Sequence, residues 1–269
     1  MSNEITLDDF REYFPYAPTA LSIKECVRLS RTRGLDCPSP ILDVGCGDGL
    51  FAKLAFQNAE VWGIDIDSRE ARRAQASRAY EQIVLADITR AKLPDGFFAS
   101  CLANCSLEHI PDLGAALRNI HRSLKPGAPF YTFLPNKDWA RYMTSAQTLE
   151  KLGLTPLSEA LQESINSVFK HRHLEDADGW RRHFEQAGFV VDAVEPIGST
   201  ASTRAFEAFL LPSTLGWLNK KLTGRWSLSS ELRKWTVLPA YALVRTALAL
   251  AKDETPTAEF LLACHKPKA

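Results

Sequence analysis

Ile41-Leu42-Asp43-Val44-Gly45-Cys46-Gly47-Asp48-Gly49 is the stretch that decides how the rest of the chain is read. A short, mostly apolar run enters a turn with glycine at 45, 47 and 49, and helical spacing resumes from Phe51 to Gln57. Glycines let a backbone turn tightly and approach a ligand closely, so strand, glycine turn and helix together predict a binding loop. The dinucleotide fingerprint Gly-x-Gly-x-x-Gly requires its third glycine at position 50, which is Leu50; here the third glycine comes one residue early. Asp43 stands two residues before the loop, where a carboxylate repels phosphate and suits a cationic amino-acid ligand. Both details count against a nicotinamide or flavin site.

On either side of the loop, apolar runs alternate with helical stretches. Strands are expected at Val61–Asp65, Ile83–Ala86, Phe97–Asn104, Phe130–Leu134, Phe189–Val191 and Glu259–Cys264. Helices are expected at Leu21–Arg33, Asp67–Ala79, Asp112–Leu124 and Asp178–Ala187, with Asp67 and Asp112 as caps. Strands separated by helices of this length give parallel βαβ units, and continuous apolar strands imply a sheet covered on both faces. The expected fold is α/β, a doubly wound, mostly parallel seven-stranded sheet of Rossmann-like type. Two long segments interrupt it, residues 135–175 after the fifth strand and residues 198–256 between the sixth and seventh; both are expected to be helical caps at the substrate side. The reading is of one domain over residues 1–269, with a core at 37–134, 176–197 and 257–267.

The chain of 269 residues carries 32 Lys plus Arg and 32 Asp plus Glu, a net charge of zero that argues against a nucleic-acid binder. Six cysteines are too dilute for a disulfide scaffold and have no zinc-site spacing, so reduced thiols are expected. The opening Met1-Ser2-Asn3-Glu4-Ile5 has neither a basic start nor an apolar core, and the apolar stretch Trp235–Ala251 is shorter than a spanning helix needs. A cytoplasmic location is expected.

Five motifs in order now carry a resemblance: Ile41 to Gly49, Gly63-Ile64-Asp65, Ala86-Asp87, Leu107-Glu108-His109-Ile110-Pro111, and Leu124-Lys125-Pro126-Gly127. Together they resemble the class I S-adenosylmethionine-dependent methyltransferases, nearest to the methyltransferase type 11 group of small-molecule enzymes. The likeness covers residues 41–134, and the last two strands extend it toward the C-terminus. It implies S-adenosyl-L-methionine as cofactor. The backbone of Gly45, Cys46 and Gly47 is then expected against the amino-acid part, with the Cys46 side chain a small filler. Asp43 orients the loop and the ammonium group, and Asp65 accepts the ribose hydroxyls. Ile66 packs on the adenine face, Asp87 and the Ile88 backbone meet the adenine amino group, and Asn104 lies near the sulfonium.

A sulfonium methyl is already electrophilic, so an acceptor must be held in line and shielded from water. For a hydroxyl acceptor a general base helps. His171 and His173 are the candidates, sharing a face if their segment is extended; His109, in a motif position that supports the local turn, is weaker. No metal site is expected, because these histidines lack a third and fourth ligand at suitable spacing. Residues 213–252 hold Lys220, Lys221, Arg225, Arg233, Lys234, Arg245 and Lys252 against Glu231 alone, interleaved with Trp217, Trp226, Trp235 and several leucines. That combination suits an anionic membrane surface or a lipid- or glycan-linked acceptor. The expected activity is methyl transfer to a small-molecule or lipid/glycan-linked acceptor, at a hydroxyl. N- or C-methylation of a secondary metabolite or quinone, and a non-catalytic cofactor-binding module docking a membrane or partner, are the alternatives. Nucleic acid is disfavoured as a partner also because Asn104 is followed by Cys105-Ser106-Leu107 and not by a base-amine motif.

Overall fold

A computed structural model describes residues 5–223, 226–227, 229–251 and 256–268, without the side chains of Trp217, Pro256 and Thr257. In chain order the elements are α1 (Leu7–Tyr13), α2 (Thr19–Thr32), β1 (Ile41–Val44), α3 (Leu50–Ala55), β2 (Val61–Asp65), α4 (Ser68–Ser77), β3 (Gln82–Leu85), β4 (Ser100–Asn104), α5 (Leu113–Ser123), β5 (Pro129–Pro135), α6 (Thr144–Lys151), α7 (Thr155–Phe169), α8 (Ala177–Gln186), β6 (Val190–Ser199), α9 (Thr200–Thr223), α10 (Ser230–Trp235), α11 (Val237–Ala251) and β7 (Pro256–His265). Short 3-10 turns lie at Leu107–His109 and Trp139–Tyr142.

The seven strands form one sheet in the order β3-β2-β1-β4-β5-β7-β6. β1 pairs in parallel with β2 and β4, β2 with β3, and β4 with β5; β7 runs antiparallel to β5 from Pro129↔His265 to Pro135↔Glu259. This is the mostly parallel seven-stranded sheet the sequence predicts. The chain winds outward from β1 to β3 and then returns to place β4 on the other side of β1. The carboxyl ends of β1 and β4 therefore flank the switch point, where ligands bind in open α/β sheets.

The chain divides into two compact units. One holds residues 34–137, 170–196 and the end of the chain from Glu259, including most of the sheet. Its core joins Leu42, Val44 and Ile64 to Phe98, Leu117, Phe130, Trp180 and Phe184. The buried Trp180 donates its indole N–H to the Pro135 carbonyl at 3.0 Å, which satisfies its one polar atom. Each such fully buried apolar side chain contributes roughly 1.5–3 kcal/mol. The other unit holds the described residues through Arg33 together with 138–169 and 197–258. There Phe10 stacks on Phe14 and meets Tyr241, while Trp139, Phe169 and Phe206 form a second aromatic cluster. The two interrupting segments are mainly helical, as expected, and residues through Arg33 group with them.

Some boundaries differ from the sequence reading. The strand expected from Phe97 begins at Ser100, because Phe98 first bridges Leu124 and donates its backbone N–H to Ser123, while its ring packs on Trp62. The helix expected at Phe51–Gln57 runs from Leu50 to Ala55. The third strand is shifted by one residue, to Gln82–Leu85.

Candidate functional site

The glycine loop leaves β1 with Gly45 at φ +73°, Gly47 at +55° and Gly49 at +80°. At Gly45 a Cβ would stand 2.4 Å from that of Ser106, whose hydroxyl donates to the Val44 carbonyl at 2.6 Å. The loop after β1 and the turn after β4 are thus locked together, and only glycine fits between them. At Gly47, by contrast, a Cβ would meet nothing within 4 Å. That open side is a cradle a ligand can enter.

The loop's N–H groups turn inward. Gly45 and Cys46 both donate to the Ile64 carbonyl, at 2.8 and 3.1 Å, and Gly47 donates to Asp65 Oδ2 at 2.9 Å. A phosphate cradle needs such groups facing outward; these are committed to the protein. Asp65 also accepts from the Asp67 N–H through Oδ1, at 2.8 Å. Each carboxylate oxygen keeps a further lone pair, so Asp65 fastens the loop and can still accept hydroxyls. Asp67 caps α4 through the Arg69 N–H, which also lowers its pKa.

Asp43 is 4% exposed and accepts the Tyr80 hydroxyl at 2.7 Å. Burial raises its pKa to about 7, against the pull of the Tyr80 bond and with help from the nearby Asp65. Asp43 orients the loop through Tyr80, whose hydroxyl also stands 3.4 Å from the Cys46 carbonyl. Cys46 fills the space over Gly63, where a Cβ would come within 2.9 Å of its sulfur, and burial pushes its thiol pKa up.

Beyond β2, Ile66 is 71% exposed, an apolar side chain of the kind that suits an aromatic face. Asp87 accepts the N–H and the hydroxyl of Thr89 on a single oxygen, at 2.9 and 2.8 Å, and these bonds lower its pKa. Ile88 is buried, and its carbonyl accepts the Asn119 side chain at 2.6 Å. Asn104 closes β4 at the switch point.

The three histidines separate. His109 and His171 stack at a centroid distance of 5.5 Å. His173 donates its Nε2–H to the Ile110 carbonyl at 2.9 Å and sits edge-on to His183. His171 is thus paired with His109, and His173 with Ile110 and His183. Tyr80, Ser106 and Glu108 are parts of this region that sequence reasoning did not single out for a role. Glu108 lay inside the Leu-Glu-His motif; Tyr80 and Ser106 carry no motif signal.

The sequence pattern of the methyltransferase-domain family matches residues 42–132. Residues 42–132, about a third of the chain, therefore carry a methyltransferase domain. An uncharacterized methyltransferase of Mycobacterium tuberculosis is 42% identical over 90 residues, 32% of this chain and 46% of that protein. A ubiquinone biosynthesis O-methyltransferase of Pseudomonas syringae pv. tomato is 33% identical over 112 residues, 38% of this chain and 47% of its own length. The chain thus spans about half the length of these relatives. A solved S-adenosylmethionine dependent methyltransferase of Mesorhizobium loti superposes with a TM-score of 0.53 at 17% identity, covering 90% of this chain and 97% of that one, which shows the shared fold. The loop, Asp65, exposed Ile66 and Asp87 fit S-adenosyl-L-methionine by donor chemistry: carboxylates for hydroxyls and an amine, an apolar face, and an open glycine cradle whose Gly45, Cys46 and Gly47 N–H groups are taken up by the protein.

Proposed function

We propose that this chain transfers a methyl group from S-adenosyl-L-methionine to a hydroxyl of a small-molecule or lipid/glycan-linked acceptor. The observation that carries the reading is the glycine loop whose Gly45, Cys46 and Gly47 N–H groups are bonded to the protein, beside the Asp65 carboxylate and the open side of Gly47. The cofactor supplies an electrophilic methyl on a sulfonium centre. Gly45 to Gly47 and Asp65 hold its amino-acid and ribose parts, Ile66 and Asp87 its base, and Asn104 the region near sulfur. The oxygen preference is supported by the O-methyltransferase among the relatives. His109 and His171, whose rings stack, are the candidate bases for an acceptor hydroxyl, and His173 bonds the Ile110 carbonyl.

The acceptor class draws on the helical unit. Trp235 is 88% exposed, and Leu211, Leu215, Leu222, Leu232 and Leu250 are exposed with it, in a segment that also carries Lys220, Lys221 and Lys234. Apolar and basic side chains together suit an anionic lipid surface or lipid-linked acceptor. Arg233 leaves this set: it is half-buried, donates to the Phe14 and Ala17 carbonyls at 2.9 and 2.7 Å, and lies over the Phe14 ring. Lys220 sits over Trp226. Arg225, Lys252 and the side chain of Trp217 lie outside the described residues. Among the described residues no helix is long and apolar enough to cross a membrane. Incubation with methyl-labelled cofactor and lipid, glycan and phenolic extracts tests the reading. Label is expected in an O-methyl product, and its absence from every extract would count against it.

A further inference from the structure

Two stretches after the sheet's carboxyl edge are zipped together. The backbone N–H groups of Arg172 and His173 donate to the Glu108 carbonyl at 2.8 and 3.1 Å, and the His173 ring donates to Ile110. His109 Nδ1 lies 3.2 Å from the Lys170 carbonyl. A carbonyl can only accept, so Nδ1 carries the proton, and in the neutral ring Nε2 carries the lone pair. That Nε2 faces Glu108 Oε1 at 3.7 Å, with the Glu108 carboxylate only 2% exposed. His171 completes the group: one ligand atom from each of Glu108, His109 and His171 lies within 4.8 Å of the others.

We infer that Glu108, His109 and His171 form a binding site for a divalent transition-metal ion, of which zinc is the type. One ligand atom from each of the three already lies close enough to the others for a single ion to reach all of them, with the Glu108 carboxylate buried beside the His109 ring. Two ligands on a tetrahedral zinc ion with bonds near 2.1 Å are separated by ~3.4 Å, close to the spacing already present between Glu108 and His109. The Nδ1–H bond to a backbone carbonyl is the outer contact that fixes the tautomer of a ligating histidine. Two histidines and one carboxylate leave a coordination position open, as metal sites that take part in reactions do. The site is missed by linear spacing because Glu108 and His109 are adjacent while His171 comes from a distant stretch.

Its use rests on the methyltransferase reading above. The turn carrying Glu108 and His109 begins shortly after Asn104 ends β4, at the switch point. An acceptor hydroxyl bound at the open position loses its proton to solvent more readily, as metal-bound water does. Its oxygen then forms the new O–CH₃ bond as the S–CH₃ bond breaks, and S-adenosylhomocysteine leaves.

The test uses tag-free, full-length protein freed of metal with a chelator. Zn²⁺ is titrated by calorimetry and Co²⁺ by visible absorption, while S-adenosylhomocysteine is titrated separately. One equivalent of each metal is expected to bind the wild type, with the Co²⁺ spectrum of a low-coordinate nitrogen and oxygen site. Glu108→Gln, His109→Ala and His171→Ala are each expected to abolish that isotherm and spectrum, whereas His173→Ala keeps both. Unchanged S-adenosylhomocysteine affinity in these variants shows that they remain folded. No metal binding by the wild type, or retained binding in the His109→Ala/His171→Ala double variant, would overturn the site. Metal binding without S-adenosylhomocysteine binding would instead leave the site standing and sink the methyltransferase reading.

Discussion

Asp43 is an acid placed where its charge is disfavoured. Burial raises its pKa from 3.8 to about 7, with the Tyr80 bond opposing and Asp65 adding to the rise. The folded chain therefore holds the proton more tightly than the unfolded one. The associated stability is present below about pH 4 and is lost as pH rises through about 7. Asp43→Asn keeps an oxygen for the Tyr80 hydroxyl and cannot ionise. Its melting temperature relative to wild type is expected to climb steadily between about pH 4 and pH 8; a flat difference would show that Asp43 is not so perturbed. Asp43, Gly45, Asp65 and Asp87 could be picked out from the sequence because each belongs to a short motif at a strand end. Tyr80 and Ser106 could not. Their partners Asp43 and Val44 are 37 and 62 positions away, and nothing local marks either residue as part of the loop.

The stretch from Lys170 to His173 has no regular secondary structure, and its position comes from bonds to the turn after β4. The ring of His173 supplies one of them, to the Ile110 carbonyl. Truncating it in His173→Ala removes a hydrogen bond of about 1 kcal/mol, which should lower the melting temperature by ~2–4 °C in a chain of this size. S-adenosylhomocysteine affinity should not change. Calorimetric unfolding and binding check both, and an unaltered melting temperature would remove the clamp from the account. Element types were legible because apolar runs and helical spacing alternate cleanly from Ile41 to Leu134. Element ends were less so: Phe97 and Phe98 read as strand, yet the aromatic contact with Trp62 holds them before the ladder starts. The segment around His171 was the hardest to read, because its fold is set by the backbone of Glu108, about sixty positions earlier in the chain.

Over the whole molecule, a chain of zero net charge places Trp235 and most of its exposed leucines in the helical unit, where Lys220, Lys221 and Lys234 lie on the same stretch. Changing Lys220, Lys221 and Lys234 together to Gln removes three contacts of about 1 kcal/mol each with an anionic surface, so binding to phosphatidylserine vesicles at low salt should weaken roughly 100-fold. Sedimentation with such vesicles checks this, and a wild-type protein that stays in the supernatant contradicts the membrane reading. That reading stands apart from the cofactor site, where the sheet order and the family match converge. The most direct test there is calorimetric titration of S-adenosylhomocysteine into wild-type protein and Asp65→Ala. The account predicts micromolar affinity for the wild type and a loss of about 1.5–3 kcal/mol in the variant, whose ribose contacts and hold on the Gly47 N–H are both gone. Absence of binding by the wild type, or equal affinity in both proteins, would contradict it.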